Sequence, residues 1–232
     1  MQGESITVTG PEGRHAATVR RLSAGERADV TDGGGTVAEC VVTAVSRGLV
    51  EFRVLARHLE PEPDPRIVVV QAIPKGDRGE LAVELMTEVG ADVVTPWRAE
   101  RCVAQWRGDR ADRALGRWRR AATEAAKQSR RARFPEVTEP VAMPGVTRLV
   151  RAASLAIVLD PGAPATLRQV RPPDRGEIVV IVGPEGGISA TETAELARAG
   201  AAGARLGPSI LRTSTAGAVA AAILLSRSGR WG

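Results

Sequence analysis

The sequence predicts an α/β protein in two parts, a small all-β domain over residues 1–62 and a larger parallel-sheet domain over residues 66–232. Three observations predict it. Residues 6–59 carry short alternating apolar stretches between glycine-rich turns, the pattern of half-buried antiparallel strands. Leu59-Glu60-Pro61-Glu62-Pro63-Asp64-Pro65 then sets three prolines at alternating positions, the composition of an extended linker. Beyond it, nearly continuous apolar runs alternate with helix-length segments, as strands covered on both faces by helices require.

Within the first part, strands are expected at Ile6-Thr7-Val8, Ala28-Asp29-Val30, Cys40-Val41-Val42-Thr43-Ala44-Val45 and Leu49-Val50-Glu51-Phe52-Arg53-Val54, forming a small antiparallel barrel or sheet. Gly33-Gly34-Gly35 reads as a hairpin turn, because no buried strand and helix flank it as a phosphate-binding loop requires. A short helix over residues 13–22 would carry His15, Arg20 and Arg21.

In the second part, strands are expected at Ile67-Val68-Val69-Val70-Gln71-Ala72 and over residues 93–96, 156–159 and 178–182. Helices are expected over residues 79–89, 110–131, 191–199 and 215–226. In the first of these, Leu81, Leu85 and Val89 recur every four positions and form the expected buried stripe.

Hydrophobic residues at 43% and charged residues at 25% are ordinary globular usage and exclude an intrinsically disordered chain. The net charge of +5 suits a polyanionic partner, but lysine occurs only at positions 75 and 127, so the placement of the arginines says more than the total. Between residues 101 and 133 there are eleven basic residues against three acidic ones, a local excess of eight that exceeds the +5 of the whole chain. Such a stretch either neutralises RNA phosphates, with Trp106 and Trp118 interleaved for base stacking, or is a solvated helix face with both tryptophans in the core.

Cys40 and Cys102 are far apart and have no second cysteine or histidine at ligand spacing, so no metal site is expected and a reducing, cytoplasmic compartment is. No basic-then-apolar leader opens the sequence. The longest apolar run, residues 216–225, is about half of a membrane-spanning helix and is expected to be a buried helix of a soluble protein without membrane contact.

Two segments near the C-terminus carry the chemistry. The strand ending at Gly183 turns through Pro184-Glu185-Gly186-Gly187 into a helix, where Ser189 and Glu192 fit a capping box. Parallel sheets bind ligands at the carboxyl ends of their strands, and glycines there admit a ligand to the backbone; an ordinary tight turn explains the same residues. The second segment, Leu206-Gly207-Pro208-Ser209-Ile210-Leu211-Arg212-Thr213-Ser214-Thr215-Ala216, leads into an alanine-rich helix. Its plain reading makes Ser214 or Thr215 the N-cap and Arg212 a surface charge.

Taken together, Ile181-Val182-Gly183-Pro184-Glu185-Gly186-Gly187-Ile188-Ser189 and the second segment resemble the SPOUT class of methyltransferases, and within it the small-subunit ribosomal RNA uridine-N3 methyltransferase family. Lys75-Gly76-Asp77-Arg78-Gly79-Glu80-Leu81, Thr87-Glu88-Val89-Gly90-Ala91 and Glu124-Ala125-Ala126-Lys127-Gln128-Ser129-Arg130-Arg131 with Pro135 are similar to that family as well, in the family's order. The resemblance implies a trefoil-knotted catalytic domain, an N-terminal PUA-like β-barrel that binds RNA, and a homodimer with its active site at the subunit interface. It also implies S-adenosylmethionine as cofactor and 16S ribosomal RNA, in an assembling particle, as the partner whose uridine is methylated at N3 during ribosome biogenesis.

Carried over by the resemblance, the cofactor site falls on Leu159, Gly183, Pro184, Glu185, Gly186, Gly187, Leu206, Gly207, Ile210, Leu211, Thr215 and Ala216. Arg212 is the candidate for stabilising charge that develops on the uracil, and Glu185 is a candidate base, cofactor anchor or loop brace. RNA contacts are expected from Arg117, Arg120, Lys127, Arg130 and Arg131, and from Arg20 and His15, the last with a satisfied barrel histidine as its alternative reading. Two departures from the family pattern stand out: the short Arg- and Phe-containing opening strand is lacking before residue 5, and Ser214 replaces an acidic residue between the two threonines. A dinucleotide-dependent oxidoreductase is disfavoured, since no G-x-G-x-x-G follows the first strand of the α/β part.

Overall fold

The computed structural model describes residues 4–104 and 106–231. The departure from the family pattern noted at the start of the chain falls largely on residues outside these. The chain divides into two compact units, Met1–Glu62 and Pro63–Gly232.

The first unit is a four-stranded antiparallel sheet: β1 (Ser5–Val8), β2 (Arg27–Thr31), β3 (Thr36–Ser46) and β4 (Leu49–Leu59) in the linear order β1-β4-β3-β2. Alternation sets Ala38, Cys40, Val42, Val50 and Phe52 inward as its core. Between β2 and β3, Asp32 makes the glycine turn, its Oδ1 accepting from the amides of Gly34 at 2.7 Å and Thr36 at 3.1 Å. A hydrogen bond from the Thr36 side chain, followed by that from the Gly34 amide, holds the Asp32 carboxyl below its usual range. The expected helix over 13–22 forms earlier, as α1 (Gly10–Arg14) running into a π-helical turn at His15–Val19. Pro11 in its first turn starts it, and Arg21 in the left-handed region ends it. His15 lies exposed on that turn, so the reading as a satisfied core histidine is withdrawn.

The second unit is a six-stranded, all-parallel sheet in the order β10-β8-β9-β5-β6-β7. In chain order its elements are β5 (Arg66–Ala72), α2 (Arg78–Val89), β6 (Val93–Trp97), α3 (Asp109–Gln128), β7 (Glu136–Val137), α4 (Met143–Ala152), β8 (Leu155–Leu159), β9 (Glu177–Val182), α5 (Ala190–Ala199), β10 (Ala202–Ala204) and α6 (Thr213–Arg227). Strand β5 is apolar at nearly every position because both faces are covered. Ile67 and Val69 join the core under α2, α3 and α6, while Val68, Val70 and Ala72 join the core under α4 and α5. The apolar run of residues 216–225 is the buried helix α6, and no helix among the described residues is long and apolar enough to cross a membrane.

The expected stripe on α2 is met in part: Leu85 and Val89 pack against the core, but Leu81 does not. Leu81 is 44% exposed, and the fully buried face is Gly79, Ala82, Val83, Met86 and Thr87. Small residues set that face because a neighbour occupies the space: a Cβ at Gly79 would overlap the indole of Trp118 on α3, and a Cβ at Gly217 on α6 would lie 2.8 Å from the Met86 sulfur. Trp118 is 2% exposed and meets Trp106 edge to face at 5.1 Å between ring centroids. Trp118 is therefore core and does not stack on bases.

A clasp ties the start and end of this unit together. Buried Asp92 accepts from the Ile67 amide at 2.8 Å and from Arg230 through both oxygens, at 2.6 and 3.2 Å, while Arg131 lies 3.5 Å away. Arg131 also donates to the carbonyls of Thr87 at 3.0 Å and Ala91 at 2.6 Å. Its guanidinium, expected to contact RNA, is instead turned inward to fill an acceptor cluster, the cheapest place for a buried cation.

Candidate functional site

The loops at the carboxyl ends of β8 and β9 and the loop between β10 and α6 converge on a cleft of about 720 Å³, a volume usual for a small-molecule site. Each loop is fixed by its own hydrogen bonds. After β9, the Gly187 amide donates to the Pro184 carbonyl at 2.9 Å, and Gly187 takes the left-handed conformation that closes the turn. Gly183 leaves no room for a side chain, since a Cβ there would approach the Ile188 Cγ1 to 2.7 Å.

The expected capping box opens α5: Ser189 Oγ accepts from the Glu192 amide at 3.2 Å, and Glu192 Oε2 accepts from the Ser189 amide at 3.1 Å. The other oxygen of this buried carboxylate accepts from the Glu100 amide at 2.8 Å, and Arg101 donates to the Gly186 carbonyl at 3.2 Å. The segment after β6 thereby braces the outer side of the glycine turn.

The third loop is held by Arg205, which donates to the carbonyls of Ala163 at 2.6 Å and Pro164 at 2.7 Å. Helix α6 starts two residues before the expected position. Its N-cap is Arg212 rather than Ser214 or Thr215; the Thr215 hydroxyl donates to the Arg212 carbonyl at 3.2 Å. The Thr213 hydroxyl donates to the Gly183 carbonyl at 3.3 Å, which joins the two glycine-containing segments directly.

Of the residues expected at the cofactor site, Leu159, Gly183, Pro184, Glu185, Gly187, Leu206, Gly207, Ile210, Leu211 and Ala216 line the cleft, and so does Arg212. Gly186 and Thr215 do not: Gly186 faces Arg101, and Thr215 bonds its own helix start. Gly207 is a wall position where a Cβ would meet nothing within 4 Å, so its lack of a side chain leaves space open to a ligand.

Sequence reasoning assigned no role to Arg78, Asp160 or Arg205, all of which line the cleft. Asp160 follows the last residue of β8, which is a readable signal at a parallel-strand tip; its Oδ1 accepts from the Gly162 amide at 2.8 Å. Arg78 enters from the tip of β5, and its Nη1 lies 3.9 Å from Glu185 Oε1.

Outside the cleft, α3 presents Arg110, Arg113, Arg117 and Arg120 to solvent, with Arg130 exposed just beyond its end. Arg117 is 2.7 Å from Glu80 and Lys127 is 2.8 Å from Glu124, so two of the expected RNA contacts have acidic neighbours within the chain. Both cysteines are free and buried; burial pushes the Cys102 and Cys40 thiols above their usual range. Among the described residues no cluster of histidine, cysteine and carboxylates could hold a metal ion.

A family profile described as an RNA methyltransferase domain matches residues 60–225, and one described as an RNA methyltransferase PUA domain matches residues 8–55. The ribosomal RNA small subunit methyltransferase E of Mycobacterium bovis is 46% identical over 99% of this chain and 89% of its own length. The chain belongs to the ribosomal RNA small subunit methyltransferase E family. The Bacillus subtilis member of that family is 27% identical over 93% of this chain and 87% of its own. Among solved structures, the Neisseria gonorrhoeae small subunit methyltransferase E bound to S-adenosyl methionine superposes with a TM-score of 0.85, at 26% identity, over 97% of this chain and 93% of that one. A Legionella pneumophila methyltransferase with bound cofactor gives 0.84 at 27% identity over the same shares.

Proposed function

We propose that this chain transfers the methyl group of S-adenosylmethionine to N3 of a uridine in 16S ribosomal RNA of the small subunit. The observation that carries the reading is the convergence of the two glycine segments, bonded through Thr213 and Gly183, on one cleft with Arg212 on its wall. The cleft suits this cofactor: Leu159, Leu206 and Leu211 offer apolar surface to an adenine ring, and backbone groups of residues 183–187 suit a small zwitterion. Two relatives of similar fold carry the same cofactor by name.

Bound there, the cofactor supplies an electrophilic methyl on a sulfonium. The residues of the chain have three tasks. The wall of the cleft holds the base in line, which is the main source of rate in a displacement. Arg212 stabilises the negative charge on the uracil oxygens as the N3 proton leaves. Glu185, in the same cleft, receives that proton directly or through water. The cleft wall, Arg212 and Glu185 would thereby present a deprotonated N3 in line with the methyl group that the bound cofactor would supply, the leaving sulfur keeping the bonding electron pair.

The larger arrangement follows the same reading. The second unit is a trefoil-knotted SPOUT domain, the first a PUA-like barrel, and His15, Arg20, Arg117, Arg120, Lys127 and Arg130 contact RNA in an assembling cytoplasmic particle. A homodimer is supported by Ile210, which is 80% exposed, with Leu211 and Val219 also exposed on the loop and the outer face of α6.

Mass mapping of 16S ribosomal RNA from cells with and without this protein tests the assignment. Loss of one methyl from a uracil ring is expected; a methyl lost from a ribose would overturn it.

A further inference from the structure

The reaction as described gives Arg78 no task, although it lines the cleft. Three guanidiniums do so. Arg205 is committed to the carbonyls of Ala163 and Pro164, and Arg212 is assigned to the base. Arg78 has Glu185 within Coulombic reach at 3.9 Å, beyond hydrogen-bond distance, and its side chain is about half exposed. Its donors therefore face the cleft and solvent, ready for a second anion.

Position indicates which anion. The glycine turn follows β9, and β5, which leads to Arg78, is the neighbouring strand on the side of β6. Arg78 is the first residue of α2; α2 packs on α3, where Arg117 pairs with Glu80 two residues along from Arg78. Arg78 thus stands between the exposed arginines of α3 and the cleft.

We propose that Arg78 is a substrate-positioning residue that grips a backbone phosphate of the RNA at the nucleotide entering the cleft. A guanidinium presents parallel N–H donors that match two phosphate oxygens, and phosphate contacts set register without reading sequence. Glu185 keeps the guanidinium oriented until the phosphate arrives, and because no direct hydrogen bond joins them the exchange breaks none. The inference rests on the methyl-transfer reading of the cleft.

The test measures single-turnover transfer of labelled methyl to small-subunit ribosomal RNA across RNA and salt concentrations, for wild type, Arg78→Ala and Arg78→Lys, with cofactor affinity by calorimetry. Arg78→Ala is expected to raise half-saturating RNA about tenfold and to flatten the dependence of log affinity on log salt by about one unit. Cofactor affinity should stay within about twofold, and Arg78→Lys should restore the salt slope while recovering affinity only in part. Arg78→Gln replaces the Ala variant if that one fails to fold.

Weaker cofactor binding with unchanged RNA saturation would assign Arg78 to the cofactor carboxylate and overturn the proposal. Variants that match wild type, or that lose only the saturating rate, overturn it as well. If wild type itself transfers no methyl to this RNA, the reading of the cleft fails too; if it does and the variants match it, only the role of Arg78 fails.

Discussion

The hydroxyl of Thr213 donates to the carbonyl of Gly183 at 3.3 Å, so the first turn of α6 is fastened to the end of β9 by one side chain. Valine at 213 keeps the shape and removes the bond. A net hydrogen bond contributes about 1 kcal/mol, and the freed carbonyl belongs to the wall of the cleft proposed to hold the cofactor. Thr213→Val is expected to weaken S-adenosylmethionine binding about fivefold by calorimetry, with the melting temperature lowered by a few degrees at most.

Arg212→Ala should retain cofactor affinity while single-turnover methylation falls at least about tenfold, which corresponds to about 1.4 kcal/mol in the barrier. Unchanged turnover would remove Arg212 from the mechanism.

Glu192 is buried and its two oxygens accept from separate backbone amides, those of Ser189 and Glu100. Glu192→Ala strands both donors, so a loss of about 1–3 kcal/mol in urea unfolding is expected. The glycine turn should loosen with it, read as faster amide exchange at residues 186–189.

Cys102 gives a pH-dependent prediction. Burial is the leading cause that raises its thiol above the ordinary value of 9.0. In the unfolded chain the thiol ionises first, so its contribution to stability is full below about pH 9 and is lost as pH rises through the raised folded value. The stability difference between wild type and Cys102→Ser should therefore shrink from pH 7 to pH 10, and thiol reagents should modify native Cys102 slowly until denaturant is added.

Val219→Glu places a charge on the exposed apolar face of α6. If that face joins two copies, light scattering should show the dimer dissociating at concentrations at least about tenfold higher than for wild type, with cofactor-free melting little changed.

Parallel strands and their order of appearance were legible because β5 and β9 are apolar runs too long to be half-exposed. The stripe of α2 was legible at Leu85 and Val89 but not at Leu81, because the closest packing face is set by small residues that periodicity does not mark, such as Gly79 under the indole of Trp118. Helix α4 carries Pro144 and Gly145 in its first turn, residues that read as breakers, yet a proline there costs no hydrogen bond. Strands β7 and β10, of two and three residues, have no period to detect.

In the cleft, the glycine segments were legible as contiguous motifs. Arg78, the first residue of α2, and Asp160, just past β8, received no role because they lie far apart in sequence and only the sheet order brings them to one cleft. Arg131 read as part of a basic run, whereas three backbone and carboxylate acceptors at the α2–β6 turn claim it.

The Asp92–Arg230 pair has a further consequence for α6. Just past its far end the chain is pinned, through Arg230, to Asp92 ahead of β6, and its near end is bonded to the cleft wall at Gly183. A rod held at two points transmits tension. Occupancy of the cleft should slow the opening motions of the last turn, some fifteen residues away, so that protection factors near residue 227 report whether a ligand is bound at residue 213.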